Sequence, residues 1–329
     1  MNTPPAIAPI PEAPFDLTPA LDPQRALDER DALLLALPND KLRAEISRLR
    51  PDGPYVWTWL FPKTAGMGTG GDIKRRVNML ASVEPRLDTL LFPGEQIEFV
   101  TKGALNSFVE QFFMGVWSLI VNRTTFLFTN YRLILLNADN KGKAKTLMWQ
   151  IPYARMQKYG AGGFSGVVKI NTLGGKSYSF IQVPGADRKR LKEYMLARLA
   201  HTQQHGLPFP AYLDRDPLCA QCASPVPPKA QGCPECGDPF INPMTPALLS
   251  LIIPGLGHLY LGHRQMALLE FFGFAVILLN TTFMTLKAGL PGLLFGILII
   301  ALTNGVDSLV TLYVANKGCL PRRLAWKAP

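Results

Sequence analysis

The chain has 329 residues, a formal net charge of +10 and 48% hydrophobic residues, which is length enough for two or three compact units. The basic excess is local: the balance is −1 over residues 1–94, +9 over 95–201, −2 over 202–243, 0 over 244–316 and +4 in the tail. No recognition motif accompanies the basic stretch, which excludes nucleic acid as the partner and leaves an anionic lipid surface or an ordinary solvated face.

In chain order, residues 1–23 carry seven prolines and no apolar core of the kind a signal peptide needs, and are expected to form a disordered tail. Residues 24–87 read as a helical N-terminal region. Leu27, Leu33, Leu34, Leu35, Leu42, Ile46 and Leu49 suggest one or two short amphipathic helices interrupted at Pro38. Tyr55–Phe61 is an aromatic run too short to cross a bilayer, suited to packing or docking. Gly66–Gly71 is glycine-rich, but Asp72 and Ile73 stand where a Walker loop needs Lys and Ser or Thr. It reads as a loop rather than a nucleotide site.

From Gly94 the pattern turns strand-like. Seven segments are rich in β-branched and aromatic residues: Ile97–Lys102, Phe108–Ile120, Thr125–Phe128, Tyr131–Leu136, Thr146–Ile151, Gly166–Asn171 and Lys176–Val183. A helix follows, with Asp187 as N-cap and Leu191, Tyr194, Met195 and Leu199 on one face. The order, together with Pro93-Gly94-Glu95, Phe128-Thr-Asn-Tyr-Arg-Leu-Ile-Leu135 and Gln150-Ile-Pro-Tyr153, resembles the pleckstrin-homology-like (PH-like) superfold in its bacterial, GRAM-like versions over residues 88–201. The resemblance implies a seven-strand sandwich or barrel closed by one helix. Some relatives bind phosphoinositides through an early basic cluster; here the first turn holds only Lys102, so no lipid site is carried over.

Residues 202–218 form an expected linker. Then come Cys219-Ala-Gln-Cys222 and, after ten residues, Cys233-Pro-Glu-Cys236-Gly237. Each Cys-x-x-Cys turn can aim two thiolates at one point, so Cys219, Cys222, Cys233 and Cys236 form a candidate tetrahedral metal site within a module at 219–240. It resembles the short zinc ribbons of bacterial membrane and regulatory proteins, although Ala223 stands where glycine is usual. The expected cofactor is structural Zn2+: four thiolates leave no position for water or substrate. The spacer is too short for a rubredoxin-type iron fold. Thiols used this way, and only a lone fifth cysteine at Cys319, favour a reducing compartment.

Residues 245–316 are almost uncharged, broken only by Arg264, Glu270, Lys287 and Asp307. Met266–Met284 and Leu290–Val314 are long enough to span a bilayer, whereas Pro246–Leu261 is short and holds Pro254, Gly255 and Gly257. Lys317, Arg322, Arg323 and Lys327 follow as a basic tail, residues 317–329, expected on the cytoplasmic side. Thiolate zinc argues for the same side before the spans, which gives two crossings; three, with the tail outside, is the alternative. Pro254-Gly-Leu-Gly-His-Leu-Tyr260 followed by Gly262 resembles the Pro-Gly-x-Gly-x-x-Tyr-x-Gly signature of a small two-span domain found beside zinc ribbons in many bacterial proteins. At matching depth, His258, Arg264, Glu270 and Asp307 are expected to form a polar cluster, since buried charges in a membrane usually face a partner.

No catalytic residues emerge: there is no Ser/His/Asp set, Cys/His pair, paired-carboxylate site or phosphate loop. The expected protein is a multidomain α+β, integral membrane non-enzyme, with its soluble domains on the cytoplasmic face of a bacterial inner membrane. It would act as a tethered scaffold for a protein partner or an anionic lipid surface, with the membrane helices as a surface for homo-oligomers. The alternative is a regulatory subunit of a transporter or envelope complex.

Overall fold

Helices α1 (Pro23–Ala36) and α2 (Asp40–Ile46) are separated at Pro38, and Asn39 caps α2 by accepting from the Leu42 N–H at 3.0 Å. These details come from a computed structural model that describes residues 23–115, 117–161, 166–205 and 211–321. The expected disordered tail up to residue 22, residues 206–210 of the expected linker, and Arg322, Arg323 and Lys327 lie outside the described residues. The aromatic run supplies α3 (Trp57–Leu60) and a parallel bridge from Tyr55 to Ile97; Tyr55, Trp57, Leu60 and Phe61 are buried, so it is a packing element. Helix α4 (Thr69–Ala81) begins inside the glycine-rich stretch, after Gly66 and Gly68 turn the chain at positive φ. With α5 (Leu87–Leu90) these helices lay Leu33, Ile46, Trp57, Ile73 and Val77 on a core shared with Val100, Leu127, Ile134 and Met148. Residues 24–87 and the strands after residue 88 therefore share one core instead of forming separate units.

Strands β1 (Ile97–Asn106), β2 (Arg123–Thr129), β3 (Arg132–Ala138), β4 (Ala144–Pro152), β5 (Met156–Ala161), β6 (Val168–Thr172), β7 (Ser177–Ile181) and β8 (Asp216–Leu218) make one antiparallel sheet. Their order is β5-β6-β7-β1-β2-β3-β4-β8. Strand β1 is the pivot, pairing with β2 over residues 97–104 and with β7 over 104–106. A Cβ added at Gly103 would lie 2.7 Å from the Phe126 ring and 2.9 Å from the Ile181 carbonyl oxygen, so the change of partner needs glycine. The sheet curls there. Phe99, Phe126, Phe128 and Leu133 consequently share a second core with Ile170, Phe180 and the Leu191, Tyr194, Met195 and Leu199 stripe. That stripe belongs to a helix at Gly185–His205.

The three motifs of the middle domain converge on one buried network. Arg132 donates to both carboxylate oxygens of Glu95 at 2.8 and 2.7 Å, to the Leu90 carbonyl at 2.7 Å, and to Gln150. Gln150 donates to Asp216 Oδ2 at 3.2 Å, and the Tyr153 hydroxyl to the Thr129 carbonyl at 2.8 Å.

Two strand expectations are corrected. Phe108–Ile120 is helical, forming α6 (Phe108–Met114) and α7 (Trp117–Val121), because Ser107 caps α6 by accepting from the Glu110 N–H. The helix at Gly185–His205 is thus α8. The expected seven strands become eight among the described residues: β5 is interrupted by exposed Gln157 and Lys158, which hide its period, and β8 comes from the end of the expected linker. Pro217 is tolerated there because β8 is an edge strand.

Four helices follow: α9 (Met244–Ile252), α10 (Leu256–Tyr260), α11 (Arg264–Ala288) and α12 (Leu290–Ala315). The last two are long and apolar enough to cross a membrane. Helix α9, at 9 residues, rises only about 13 Å. Helices α11 and α12 turn back on each other at Gly289, and Gly292 and Gly296 leave no room for a Cβ against Met284 and Thr281. Outward faces carry Phe272, Leu279 and Leu309, each more than two-thirds exposed at 71%, 71% and 68%.

Candidate metal centre and polar clusters

Two turns of the same backbone pattern carry the four cysteines. The Cys219 N–H donates to the Ser224 carbonyl at 2.9 Å, and the Cys233 N–H to the Asp238 carbonyl at 2.9 Å. The Ala223 and Gly237 N–H groups return to the carbonyls of Cys219 and Cys233 at 2.9 and 3.0 Å. Each turn closes in left-handed backbone, φ +55° at Ala223 and +70° at Gly237. The unusual alanine keeps the conformation of a glycine, at roughly 1–2 kcal/mol. Sγ of Cys219 lies 3.7 Å from that of Cys236, and Cys222 3.4 Å from Cys233. A tetrahedral ion with metal–sulfur bonds of about 2.3 Å needs sulfurs about 3.8 Å apart, so the cluster is compatible with a metal site of that kind. Burial raises the Cys219 and Cys233 thiols; at Cys222 burial is outweighed by hydrogen bonds with Ser224, which bring it to about 7. Cys319 is half-buried against the cluster of Cys219, Val226 and Cys233, and burial, reinforced by Cys233, pushes its thiol up to about 12.

The cysteine module is built into the molecule at both ends. Its entry is β8, paired with β4 through Leu218 opposite Met148 and Asp216 opposite Gln150. Its exit pairs with the segment after α12: the Ile241 N–H donates to the Leu320 carbonyl at 2.8 Å, and Phe240 bridges Pro321.

Of the four residues expected to gather in the apolar region, the structure brings together His258, Glu270 and Asp307. The His258 side chain is fully buried, with Nδ1 3.0 Å from Glu270 Oε2, 3.6 Å from Asp307 Oδ1 and 3.2 Å from Thr311 Oγ1. Asp307 Oδ2 accepts from the Gly255 N–H at 3.0 Å. Ser250 Oγ lies 2.9 Å from Thr311 Oγ1. Arg264 opens α11 on its exposed side, six residues before Glu270. Helix α12 also satisfies carbonyls of α9: Asn304 Nδ2 donates to the Leu251 carbonyl at 3.0 Å, and Ser308 Oγ to the Ala247 carbonyl at 2.8 Å. Thr311, Asn304 and Ser308 are absent from the sequence-based set. Their spacing around Asp307, at 304, 307, 308 and 311, is a helix-face pattern that would have marked them.

A further cluster, unforeseen from sequence, joins sheet to hairpin. Buried Glu110 accepts from Lys317 Nζ at 2.7 Å, from the Tyr313 hydroxyl at 2.8 Å and from Asn122. Lys317 also donates to Asn122 Oδ1 at 2.7 Å, and Trp149 Nε1 to the Lys317 carbonyl at 2.9 Å. Burial lowers the Lys317 ammonium from its ordinary range, with Glu110 opposing. The first charge of the basic tail is therefore an internal ion-pair partner. Arg215 and His263 line the same small cavity, of about 90 Å³.

No protein-family profile matches the chain, and no curated protein matches it. Among solved structures, one matching chain is the crystal structure of the C-terminal domain of an unknown protein from Leishmania infantum, at 10% identity. The match covers 36% of this chain and 92% of that one, with a TM-score of 0.26, too slight a likeness to carry an argument.

Proposed function

We propose that this is a membrane-tethered scaffold protein, held by the α11–α12 hairpin, that presents a PH-like sheet domain and a structural zinc ribbon to a partner at one bilayer face. One observation carries the reading. The hairpin leaves Phe272, Leu279 and Leu309 uncovered along its flanks, while Tyr313 and Lys317 at its end are bonded to Glu110 of α6, in the connection between β1 and β2. Such flanks need lipid as solvent. Two crossings return the tail to the side of the sheet and ribbon, and a thiolate site favours the cytoplasmic side, in a bacterium the inner face of the inner membrane.

The PH-like assignment is supported by the two meanders β1–β4 and β5–β7, joined through β1 and closed by α8. Exposed Lys158, Lys169 and Lys176 on the β5–β7 half suit an acidic protein surface or anionic headgroups. Zinc is the ion whose size and thiolate preference the four cysteines suit, and with all four bound it is structural. No residue is assigned a catalytic role.

The test is fractionation of cells making the full-length chain. It is expected in the membrane pellet after alkaline carbonate, with about one zinc per chain; a monomer in the supernatant without detergent overturns the reading. Chelation should expose the backbone amides of residues 219–240 to exchange while β1–β3 stay protected, because metal ligation supplies most of so small a module's folding free energy.

A further inference from the structure

The His258 site is not closed as a hydrogen-bonded network. Nδ1 faces three oxygens, from Glu270, Asp307 and Thr311, and carries at most one proton. Nε2 on the other side of the same buried ring has no hydrogen-bond partner, and the geometry at Glu270 Oε2 makes no hydrogen bond despite its 3.0 Å approach to Nδ1. An imidazolium would leave a cationic N–H unsatisfied in the interior. A neutral ring leaves two carboxylates facing each other with a single N–H between them. Either state is costly in a low-dielectric setting while both carboxylates are ionised. A doubly charged cation at Nδ1 removes the charge imbalance, since with a neutral imidazole and two carboxylates the net charge is zero, and it leaves Nε2–H a neutral rather than a cationic donor.

The geometry admits one. Ligand atoms from the three residues lie within 4.8 Å of one another. The 3.0 and 3.6 Å separations from Nδ1 compare with roughly 3.0–3.4 Å between adjacent donors around an ion bound at about 2.0–2.1 Å. The donors come from three elements: His258 from α10, Glu270 from α11 and Asp307 from α12. Asp307 is oriented through Oδ2 by the Gly255 N–H, leaving Oδ1 for the site. Gly255 sits at φ +90°, where an added Cβ would lie 2.8 Å from the Ala267 carbonyl oxygen of α11.

We propose that His258, Glu270 and Asp307 bind one divalent first-row transition-metal ion, a second metal site separate from the cysteines. One imidazole and two carboxylates suit Mn2+, Fe2+ or Zn2+ and disfavour ions that need thiolate. The three protein donors leave coordination positions on the ion for Thr311 Oγ1 or water. The ion ties the broken helix at Pro254-Gly255 to both helices of the hairpin.

Mn2+ is the probe, because it is paramagnetic and does not displace zinc from thiolates. The full-length chain in nanodiscs, its cysteines loaded with zinc, is titrated with Mn2+ and the free-ion electron paramagnetic resonance signal is followed. One Mn2+ per chain is expected, with a spin-echo modulation from one directly bound imidazole nitrogen, and binding is lost in Glu270→Gln and in Asp307→Asn. Absence of Mn2+ binding overturns the proposal, as does bound Mn2+ without imidazole nitrogen or binding unchanged in both variants. Should the variants fail to assemble, the stoichiometry and nitrogen signal of the wild-type chain decide alone.

Discussion

Arg132 in the sheet and His258 in the helical unit are both fully buried, ionisable and placed against carboxylates, yet their surroundings differ in kind. Around Arg132, the Nε, Nη1 and Nη2 groups each find an acceptor among Glu95, Gln150 and Leu90, and the charge of Glu95 cancels that of the guanidinium. Asp187 is settled similarly by Arg75, Arg76 and Thr101. Around His258 one nitrogen serves three oxygens, and the charges do not cancel. A satisfied network rigidifies a core and asks nothing more of its surroundings. An unsatisfied one, held in place by glycine and helix packing, has the character of a site awaiting a ligand.

The sharpest way to break this contrast is to open the closed network. Arg132→Met strands a buried Glu95 carboxylate and should destabilise the sheet by about 3–5 kcal/mol, whereas Arg132→Met with Glu95→Leu should recover most of it. Urea unfolding of the detergent-solubilised chain, followed by tryptophan fluorescence, separates the two. A smaller loss, about 1.5–3 kcal/mol, is expected from Glu110→Gln, which removes the charge that Lys317 and Tyr313 share. It should appear as faster proteolysis between sheet and hairpin with the sheet itself intact. On the helical side, Gly257→Ala drives a Cβ to 2.6 Å from Thr311 Cγ2 beside the His258 site. Overpacking of that kind costs about 1–3 kcal/mol, read as a lower thermal aggregation temperature with unchanged amide protection in β1–β3. Least of all, Ser308→Ala deletes one hydrogen bond to the Ala247 carbonyl, worth about 0.5–1.5 kcal/mol, and should loosen amide exchange in α9 alone.

What could be read in advance depended on how local the determining contacts are. The cysteine turns were legible because two residues of spacing fix where the thiolates point. His258, Glu270 and Asp307 were reachable by counting residues inward from the two ends of an antiparallel helix pair. Glu95, Arg132, Gln150 and Tyr153 stood out as motifs, but their meeting depends on Arg132 lying opposite Pro152 in the β3–β4 register. The cluster of Glu110, Asn122, Tyr313 and Lys317 had no sequence signature, because it exists only where the sheet docks on the hairpin. Phe108–Ile120 departs in the opposite way: its apolar content has the look of a strand, whereas the Ser107 cap on the Glu110 N–H starts a helix there.

The bridge from Ile241 to Leu320 has a consequence for how the chain is made. Because synthesis runs from the amino terminus, the sheet and cysteine turns leave the ribosome before the hairpin, but Leu320 emerges only after the hairpin has been completed. Lys317, the counter-charge of Glu110, arrives at nearly the same moment. A nascent chain halted within α12 therefore holds Glu110 without Lys317 and Ile241 without Leu320, and both partners arrive once the hairpin is made. Closure of the cysteine module onto the rest of the molecule therefore waits on the hairpin.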